Sequence, residues 1–163
     1  MKREKSVVKV LFVCLGNICR SPTAQGVFRD LVKQKGLQDH IQTDSAGTGD
    51  WHVGKEPDKR AQAAAKIRGY DLSDLRARQA KPIDFKEFDY VLAMDRSNYA
   101  QLQQICLPGY EDRLHMFLGF YPNSPEEEVP DPYYGGPAGF DYVLDLVEEA
   151  SNGLLRDIKR NYL

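Results

Sequence analysis

The stretch that decides the fold reads Val7-Val8-Lys9-Val10-Leu11-Phe12-Val13-Cys14-Leu15-Gly16-Asn17-Ile18-Cys19-Arg20-Ser21-Pro22. Its first half is mostly β-branched and apolar, as in a strand that is buried on both faces. A helical spacing of apolar residues follows, with Ser21 placed to cap the helix and Pro22 to be its first residue. The stretch therefore predicts a strand, a tight polar loop and a helix whose free backbone N–H groups favour an anion.

The loop carries a set of residue types that suits nucleophilic chemistry on a phosphate. A short loop of this kind can turn successive N–H groups inward around an anion, and Gly16 and Asn17 tolerate the backbone conformations that this requires. Cys14 would lie at the base of the ring, where the same groups favour a thiolate. Arg20 would bind two phosphate oxygens with its planar guanidinium, and Ser21 would donate its hydroxyl to the sulfur. We therefore interpret Cys14 as a nucleophile rather than as a buried apolar cysteine.

Residues 14–22 resemble the signature of the low-molecular-weight protein tyrosine phosphatases, and the resemblance extends over essentially the whole chain. It implies a single domain of residues 1–163 with an α/β fold, Rossmann-like, in three α/β/α layers around a four-stranded parallel sheet of order 2-1-3-4. It also implies hydrolysis of phosphotyrosine monoesters through a phosphocysteine intermediate, with no cofactor. The residues expected to bind the phosphate are Leu15, Gly16, Asn17, Ile18, Cys19 and Ser21.

The composition limits the classes of function. The 163 residues are 42% hydrophobic and 28% charged, which is ordinary for one soluble domain. A net charge of −2 argues against a nucleic-acid partner, and no stretch is long enough to span a membrane. Three cysteines, an odd number, do not indicate a secreted disulfide scaffold. We expect a cytoplasmic monomer, where a reducing environment suits a reactive thiol.

Strand and helix patterns alternate along the rest of the chain. We expect further strands at 41–46, 88–95 and 113–117, and helices at about 22–35, 58–68, 96–105 and 139–160. Parallel strands place their carboxyl ends at one edge of the sheet, where ligands bind. The loops 14–21 and 47–52 and the region after Met94 should therefore meet. Leu75 stands where vertebrate members of the resembled family carry a histidine, so a network built on that histidine must differ here.

The leaving oxygen of a phosphate ester needs a proton, and Asp131-Pro132-Tyr133-Tyr134 is the stretch that can supply it. Pro132 favours an extended conformation for Asp131, which fixes where the carboxylate points. We expect that carboxyl to be buried beside aromatic rings. The four residues match the Asp-Pro-Tyr-Tyr of the resembled family, which implies that Asp131 acts first as general acid and then as general base.

Aromatic side chains at Trp51, Tyr133 and Tyr134 would form the walls of a slot with the phosphate at its base. A phosphotyrosine ring reaches that base, whereas a phosphoserine is too short. The family resemblance further implies that Asp95 supports Arg20 and that Ser45 supports the loop. Inorganic phosphate and vanadate are the expected active-site anions. Because His40, His52 and His115 are dispersed, we expect no metal site.

Cys19 lies in the same loop as Cys14, and we expect it to capture an oxidised Cys14 as a disulfide rather than to be a passive filler. Cys106 is expected to be structural. Three other functions stay open. A thiol-dependent arsenate reductase on this fold would need two further cysteines, and only Cys106 follows. A phosphotyrosine-binding module would not need Cys14, Arg20 and Asp131 together. A peroxide-sensing switch on the two loop cysteines is compatible with catalysis.

Overall fold

The computed structural model describes residues 6–163. The strands in this range are β1 (Val8–Cys14), β2 (Ile41–Gly47), β3 (Tyr90–Ala93) and β4 (Leu114–Met116). The α-helices are α1 (Arg20–Gln34), α2 (Lys59–Ile67), α3 (Asp84–Glu87), α4 (Arg96–Ile105) and α5 (Pro137–Asn161). Two 3₁₀ turns, Glu111–Arg113 and Phe117–Phe120, flank β4.

All four strands are parallel, in the order β2-β1-β3-β4, which confirms the predicted sheet. Cys14 at the end of β1 is paired with Gly47 at the end of β2, and Val13 is paired with both Ala46 and Ala93. The carboxyl ends of the three strands are therefore level. This register brings the loops that follow them to one edge of the sheet.

Helices cover both faces of the sheet, as predicted. Alternate residues of β1 point to opposite faces and pack in two different hydrophobic clusters. Phe12 packs with Phe28 of α1 and with Phe117, at ring-centroid distances of 5.8 and 5.2 Å. On the opposite face, Leu11 packs in a cluster with Phe85 of α3 and Leu102 of α4. Truncating a buried phenylalanine costs about 3–5 kcal/mol, so this double burial makes β1 the central element of the fold.

The start of α1 differs from the prediction. The helix begins at Arg20, Cys19 takes the N-cap position, and no side chain caps it. Ser21 is thus in the first turn, and its use as the cap is a wrong prediction, because its hydroxyl faces the sulfur of Cys14 instead. The other end is as expected, since Gly36 has φ +69° after the last turn.

The remaining elements mostly agree with the sequence patterns, including α4, whose predicted and observed ranges coincide. The short α3 and the 3₁₀ turns were not predicted, because elements of three or four residues carry no periodicity. Arg68, after α2, forms ion pairs with Asp141, Asp145 and Glu148 of α5 at 2.6–2.8 Å. These contacts fix the amino-terminal half of α5 against α2.

Among residues 6–163, no helix combines the length and the apolar character that crossing a bilayer demands.

Candidate active site

The sulfur of Cys14 lies at the base of the loop between β1 and α1, with only 3% of the residue exposed. It accepts a hydrogen bond from the backbone N–H of Asn17 at 3.3 Å and lies 3.1 Å from Oγ of Ser21. Asn17 has φ +58°, a left-handed conformation that turns its N–H inward. The sequence therefore folds here into a tight loop between strand and helix, with the thiol facing the first turn of α1.

The side chain of Asn17 supports this loop through hydrogen bonds and does not itself line the ligand cavity described below. Its Nδ2 donates to Oγ of Ser21 at 2.7 Å and to Oγ of Ser45 at 3.0 Å, and its Oδ1 accepts from the backbone N–H of Arg78 at 3.0 Å. Asn17 and Ser21 are both buried, so they can act on a ligand only through the loop. Leu75 packs in the hydrophobic core, and the Arg78 backbone is the donor that this chain supplies to the asparagine.

Arg20 is 97% buried in the first turn of α1 and is held on two sides. Its Nη1 donates to Oδ2 of Asp95 at 2.7 Å and to the carbonyl of Val129 at 3.0 Å. The other carboxylate oxygen of Asp95 accepts from the N–H of Asn98 and caps α4. Burial by itself would lower the pKa of Arg20, but the neighbouring Cys14 and Asp95 outweigh it and hold the pKa above its ordinary value.

Asp131 reaches the same place from the loop before α5. Its Oδ2 lies 3.8 Å from Nη2 of Arg20, and its Oδ1 accepts from the backbone N–H of Tyr133 at 3.0 Å. The side chain is 42% exposed, so the expected burial beside aromatic rings is wrong. The reason is local, since the Asp-Pro turn directs the backbone N–H of Tyr133 toward the carboxyl, while the Tyr133 ring packs against Tyr134 and Arg60.

These groups surround a cavity of about 190 Å³. Its base comes from the loop after β1 and is lined by Cys14, Leu15, Gly16, Ile18, Cys19 and Arg20. Its walls come from two other loops and are lined by Trp51, His52, Asp131, Tyr133 and Tyr134. The structure thus brings all of the predicted catalytic and wall residues to one cavity, with Asn17, Ser21, Ser45 and Asp95 behind it.

The walls are far more open than the base. Trp51 is 66% exposed and Tyr134 is 93% exposed, whereas Tyr133 is 37% exposed. The indole of Trp51 lies directly on Gly49, where a Cβ atom would be 1.7 Å from the ring. Only glycine at position 49 therefore allows the indole to lie flat at the mouth of the cavity.

His52 is a wall residue that the sequence interpretation missed. Its ring contacts Gly16, and its Nδ1 is buried without a hydrogen bond to the described part of the chain. The sequence did offer one indication that His52 belongs to the site: it stands next to Trp51, in a loop that was expected at the same edge of the sheet. That loop was interpreted through its tryptophan alone.

Cys19 also lines the cavity but is held in the thiol form. Burial raises its pKa to about 12, and the negative charges of Asp58, Cys14 and Asp131 act in the same direction. Cys106 is elsewhere, half-buried after α4, with its Sγ 3.5 Å from the carbonyl of Leu107. Within residues 6–163, no group of three or more His, Cys, Asp or Glu side chains is arranged to hold a metal ion.

Comparison with known proteins gives a consistent result. A family model described as low molecular weight phosphotyrosine protein phosphatase matches residues 9–162. The chain is 44% identical over 149 residues to the low molecular weight phosphotyrosine protein phosphatase of Schizosaccharomyces pombe, covering 90% of this chain and 95% of that one. It is 40% identical over 156 residues to the low molecular weight protein-tyrosine-phosphatase YfkJ of Bacillus subtilis, covering 94% and 97%. A crystal structure of a protein tyrosine phosphatase from Entamoeba histolytica with Hepes in the active site superposes with a TM-score of 0.91, at 40% identity and 94% and 97% coverage.

Proposed function

The chain belongs to the low molecular weight phosphotyrosine protein phosphatase family, and on this premise we propose that it hydrolyses phosphotyrosine in proteins. One observation carries the proposal. A buried sulfur, a buried guanidinium and an exposed carboxyl meet at a single cavity. Those are the nucleophile, the phosphate ligand and the proton donor that a two-step phosphoryl transfer requires.

In the first step, the sulfur of Cys14 attacks phosphorus in line with the tyrosine oxygen. The S–P bond forms as the P–O bond breaks, and Arg20 and the inward loop N–H groups stabilise the charge on the three equatorial oxygens. Asp131 donates its proton to the departing phenolic oxygen. Because its carboxyl is at the mouth of the cavity, it lies on the side from which the leaving group departs.

In the second step, Asp131 removes a proton from a water molecule that attacks the phosphocysteine. The new P–O bond forms as the S–P bond breaks, and inorganic phosphate leaves the loop. The hydroxyl of Ser21, at 3.1 Å from the sulfur, stabilises the thiolate that is regenerated. This step needs no residue beyond those that the first step uses.

The depth of the site supports an aryl phosphate as substrate. The sulfur is buried at the base while Trp51 and Tyr134 project at the mouth, so the phosphate must be carried inward on a long, flat group. A tyrosine ring has that length and stacks well on aromatic side chains. A serine side chain would leave its phosphate near the mouth.

The test is a substrate panel with the purified protein in the presence of EDTA. We expect turnover of para-nitrophenyl phosphate and phosphotyrosine peptides, inhibition by vanadate, and little activity on matched phosphoserine peptides. Thiol-dependent reduction of arsenate would favour the reductase alternative instead. Tight phosphotyrosine binding without release of phosphate would favour a binding module.

We also propose that Cys14 and Cys19 form a reversible disulfide under peroxide. Both cysteines line the same cavity. Peroxide would oxidise the Cys14 thiolate to a sulfenic acid, with hydroxide leaving. Cys19 would then attack that sulfur, so that an S–S bond forms and water leaves. External thiols would reduce the bond and restore the enzyme.

Mild peroxide should therefore inactivate the protein and produce a Cys14–Cys19 disulfide by mass spectrometry, with recovery in dithiothreitol. A Cys19→Ala variant should instead proceed to a sulfinic acid and recover no activity, whereas Cys106→Ala should behave as the wild type. A sulfinic acid at Cys14 with Cys19 still reduced in the wild type would contradict this role.

We further propose that the enzyme acts as a monomer in the cytoplasm, where a reducing environment preserves a reactive thiol. Analytical ultracentrifugation of the active protein tests the first part, and fractionation of expressing cells tests the second.

A further inference from the structure

The hydrogen bonds behind the nucleophile extend one residue beyond Ser45. Its Oγ donates to Oε1 of Gln25 at 2.6 Å, and Nε2 of Gln25 lies 3.4 Å from the carbonyl of Thr43. Gln25 belongs to α1, is 94% buried and does not line the cavity. We propose that Gln25 is a positioning residue that, together with the backbone N–H of Arg78, sets the direction of the hydrogen bonds leading to the sulfur of Cys14. The inference rests on the proposed function of Cys14 and extends it.

The donor-to-acceptor direction of this series of hydrogen bonds is fixed first at Asn17. The backbone N–H of Arg78 can only donate, so the atom of Asn17 that faces it at 3.0 Å must be the oxygen Oδ1. The two protons of Nδ2 are therefore directed at Ser21 and Ser45. Both hydroxyls accept from Asn17, and each must send its own proton elsewhere.

The direction is fixed a second time at Gln25. The carbonyl of Thr43 can only accept, so the side-chain atom nearest to it must be Nε2, and Oε1 must face Ser45. Oε1 takes the hydroxyl proton of Ser45 and leaves the lone pairs of that oxygen for Asn17. Gln25 thus makes Ser45 a pure acceptor toward the loop.

The consequence reaches the sulfur through Ser21. Its Oγ accepts from Asn17, so its proton is free for Sγ of Cys14 at 3.1 Å, a closer partner than the carbonyl of Ala46 at 3.4 Å. A hydroxyl that donates to sulfur stabilises the thiolate over the thiol. Without an acceptor at position 25, either the Ser45 hydroxyl or an Asn17 amide proton is left unpaired in a buried place, which loosens this arrangement.

The experiment compares Gln25→Met with Gln34→Met, a matched control on the exposed side of the same helix. Methionine keeps the length of glutamine but cannot accept from Ser45. Alkylation of Cys14 by iodoacetamide is measured across pH from the mass of the adduct. We expect the Gln25→Met profile to move to higher pH and kcat/KM to fall roughly tenfold with KM little changed, while Gln34→Met matches the wild type. A purely structural role would not move the alkylation profile.

A double-mutant cycle makes the test specific. If Gln25 acts through Ser45, the double variant with Ser45→Ala should be no more impaired than Ser45→Ala alone. Gln25→Asn, whose amide is one carbon too short to reach Ser45, gives the same readout if Gln25→Met does not fold. An unmoved alkylation profile, or fully additive effects, would overturn the inference. Failure of the wild type to hydrolyse para-nitrophenyl phosphate would overturn the proposed function instead, because alkylation needs no turnover.

Discussion

The base and the walls of the cavity are built in opposite ways. At the base, Cys14 and Arg20 are each 3% exposed, whereas at the walls Trp51 and Tyr134 are 66% and 93% exposed. The base is the short loop that connects the end of β1 with the start of α1. Its polar atoms are hydrogen-bonded, because burying a polar group without a partner costs free energy. The walls stand on loops, and Trp51 and Tyr134 are open to solvent. On the proposed function, the chemistry belongs to the buried part of the site and substrate selection to the exposed part.

Asp131 connects the two regions. By exposure it belongs with the walls, since 42% of its side chain is accessible, but its carboxylate lies 3.8 Å from the buried Arg20. An acid that must meet both substrate and water has to stay at this boundary. Substitutions at the base, at the boundary and at the walls should thus have effects of decreasing size.

The largest effect is expected at the base. Cys14→Ser should reduce turnover of para-nitrophenyl phosphate by at least about 10⁴-fold, because the other thiol at the base, Cys19, has a pKa raised to about 12 and is held protonated. Binding of inorganic phosphate should persist, since Arg20 and the loop N–H groups remain. Steady-state kinetics and thermal shift with phosphate measure the two quantities. Full activity in this variant would end the assignment of Cys14 as nucleophile.

At the boundary, Asp131→Asn should lower kcat by about 10²–10³-fold for phenyl phosphate, whose leaving group needs a proton. The loss for para-nitrophenyl phosphate should be much smaller, because nitrophenolate leaves without protonation. The measurement is kcat across a series of aryl phosphates. An equal loss for all of them would mean that Asp131 positions the loop rather than donating a proton.

At the walls, Trp51→Ala should raise KM for a phosphotyrosine peptide about tenfold, the size expected for loss of one aromatic stacking partner. It should leave kcat and the inhibition constant of phosphate nearly unchanged. Ile67→Ala is the control, since Ile67 is 87% exposed on α2 and lines no part of the cavity. A large fall in kcat would show that the walls are not separable from the base.

The smallest effect concerns Cys19, which borders both regions. The negative charge of Asp58 opposes its thiolate and helps to raise its pKa to about 12. Asp58→Asn should therefore lower that pKa, so that Cys19 alkylation near pH 9 becomes severalfold faster when measured in a Cys14→Ser background. Asparagine preserves the cap that Asp58 gives α2. Asp74→Asn should change nothing, and an unchanged rate in Asp58→Asn would show that the charge of Asp58 does not contribute to the raised pKa of Cys19.

The difference between the two regions also explains what the sequence could predict. The base was predictable because strand, loop and helix start are contiguous, so Cys14 and Arg20 are positioned by their own neighbours. The alternation of patterns predicted a parallel sheet, and the family resemblance implied its strand order. The contact of Ser21 with the sulfur was predicted, but its use as the cap was wrong because the helix begins one residue earlier, at Arg20, with Cys19 at the N-cap. Gln25 looked like an ordinary helix residue, since its partner Ser45 is twenty positions away.

The walls were less predictable because they depend on how distant loops meet. Tyr133 and Tyr134 line the cavity, but the burial expected for Asp131 depended on ring orientations that no spacing encodes. His52 was missed for a related reason. Two observations mark His52 as a wall residue: its contact with Gly16, and its buried Nδ1 without a hydrogen bond within residues 6–163. Both depend on how the two loops meet in the folded protein.

The surroundings of Cys14 are assembled from residues that are synthesised long after it. The braces of its loop come from Ser45 and the backbone of Arg78, and the carbonyl that holds Arg20 belongs to Val129. During translation the cysteine therefore emerges before the groups that position its loop, and the loop can take this arrangement only when most of the chain has left the ribosome.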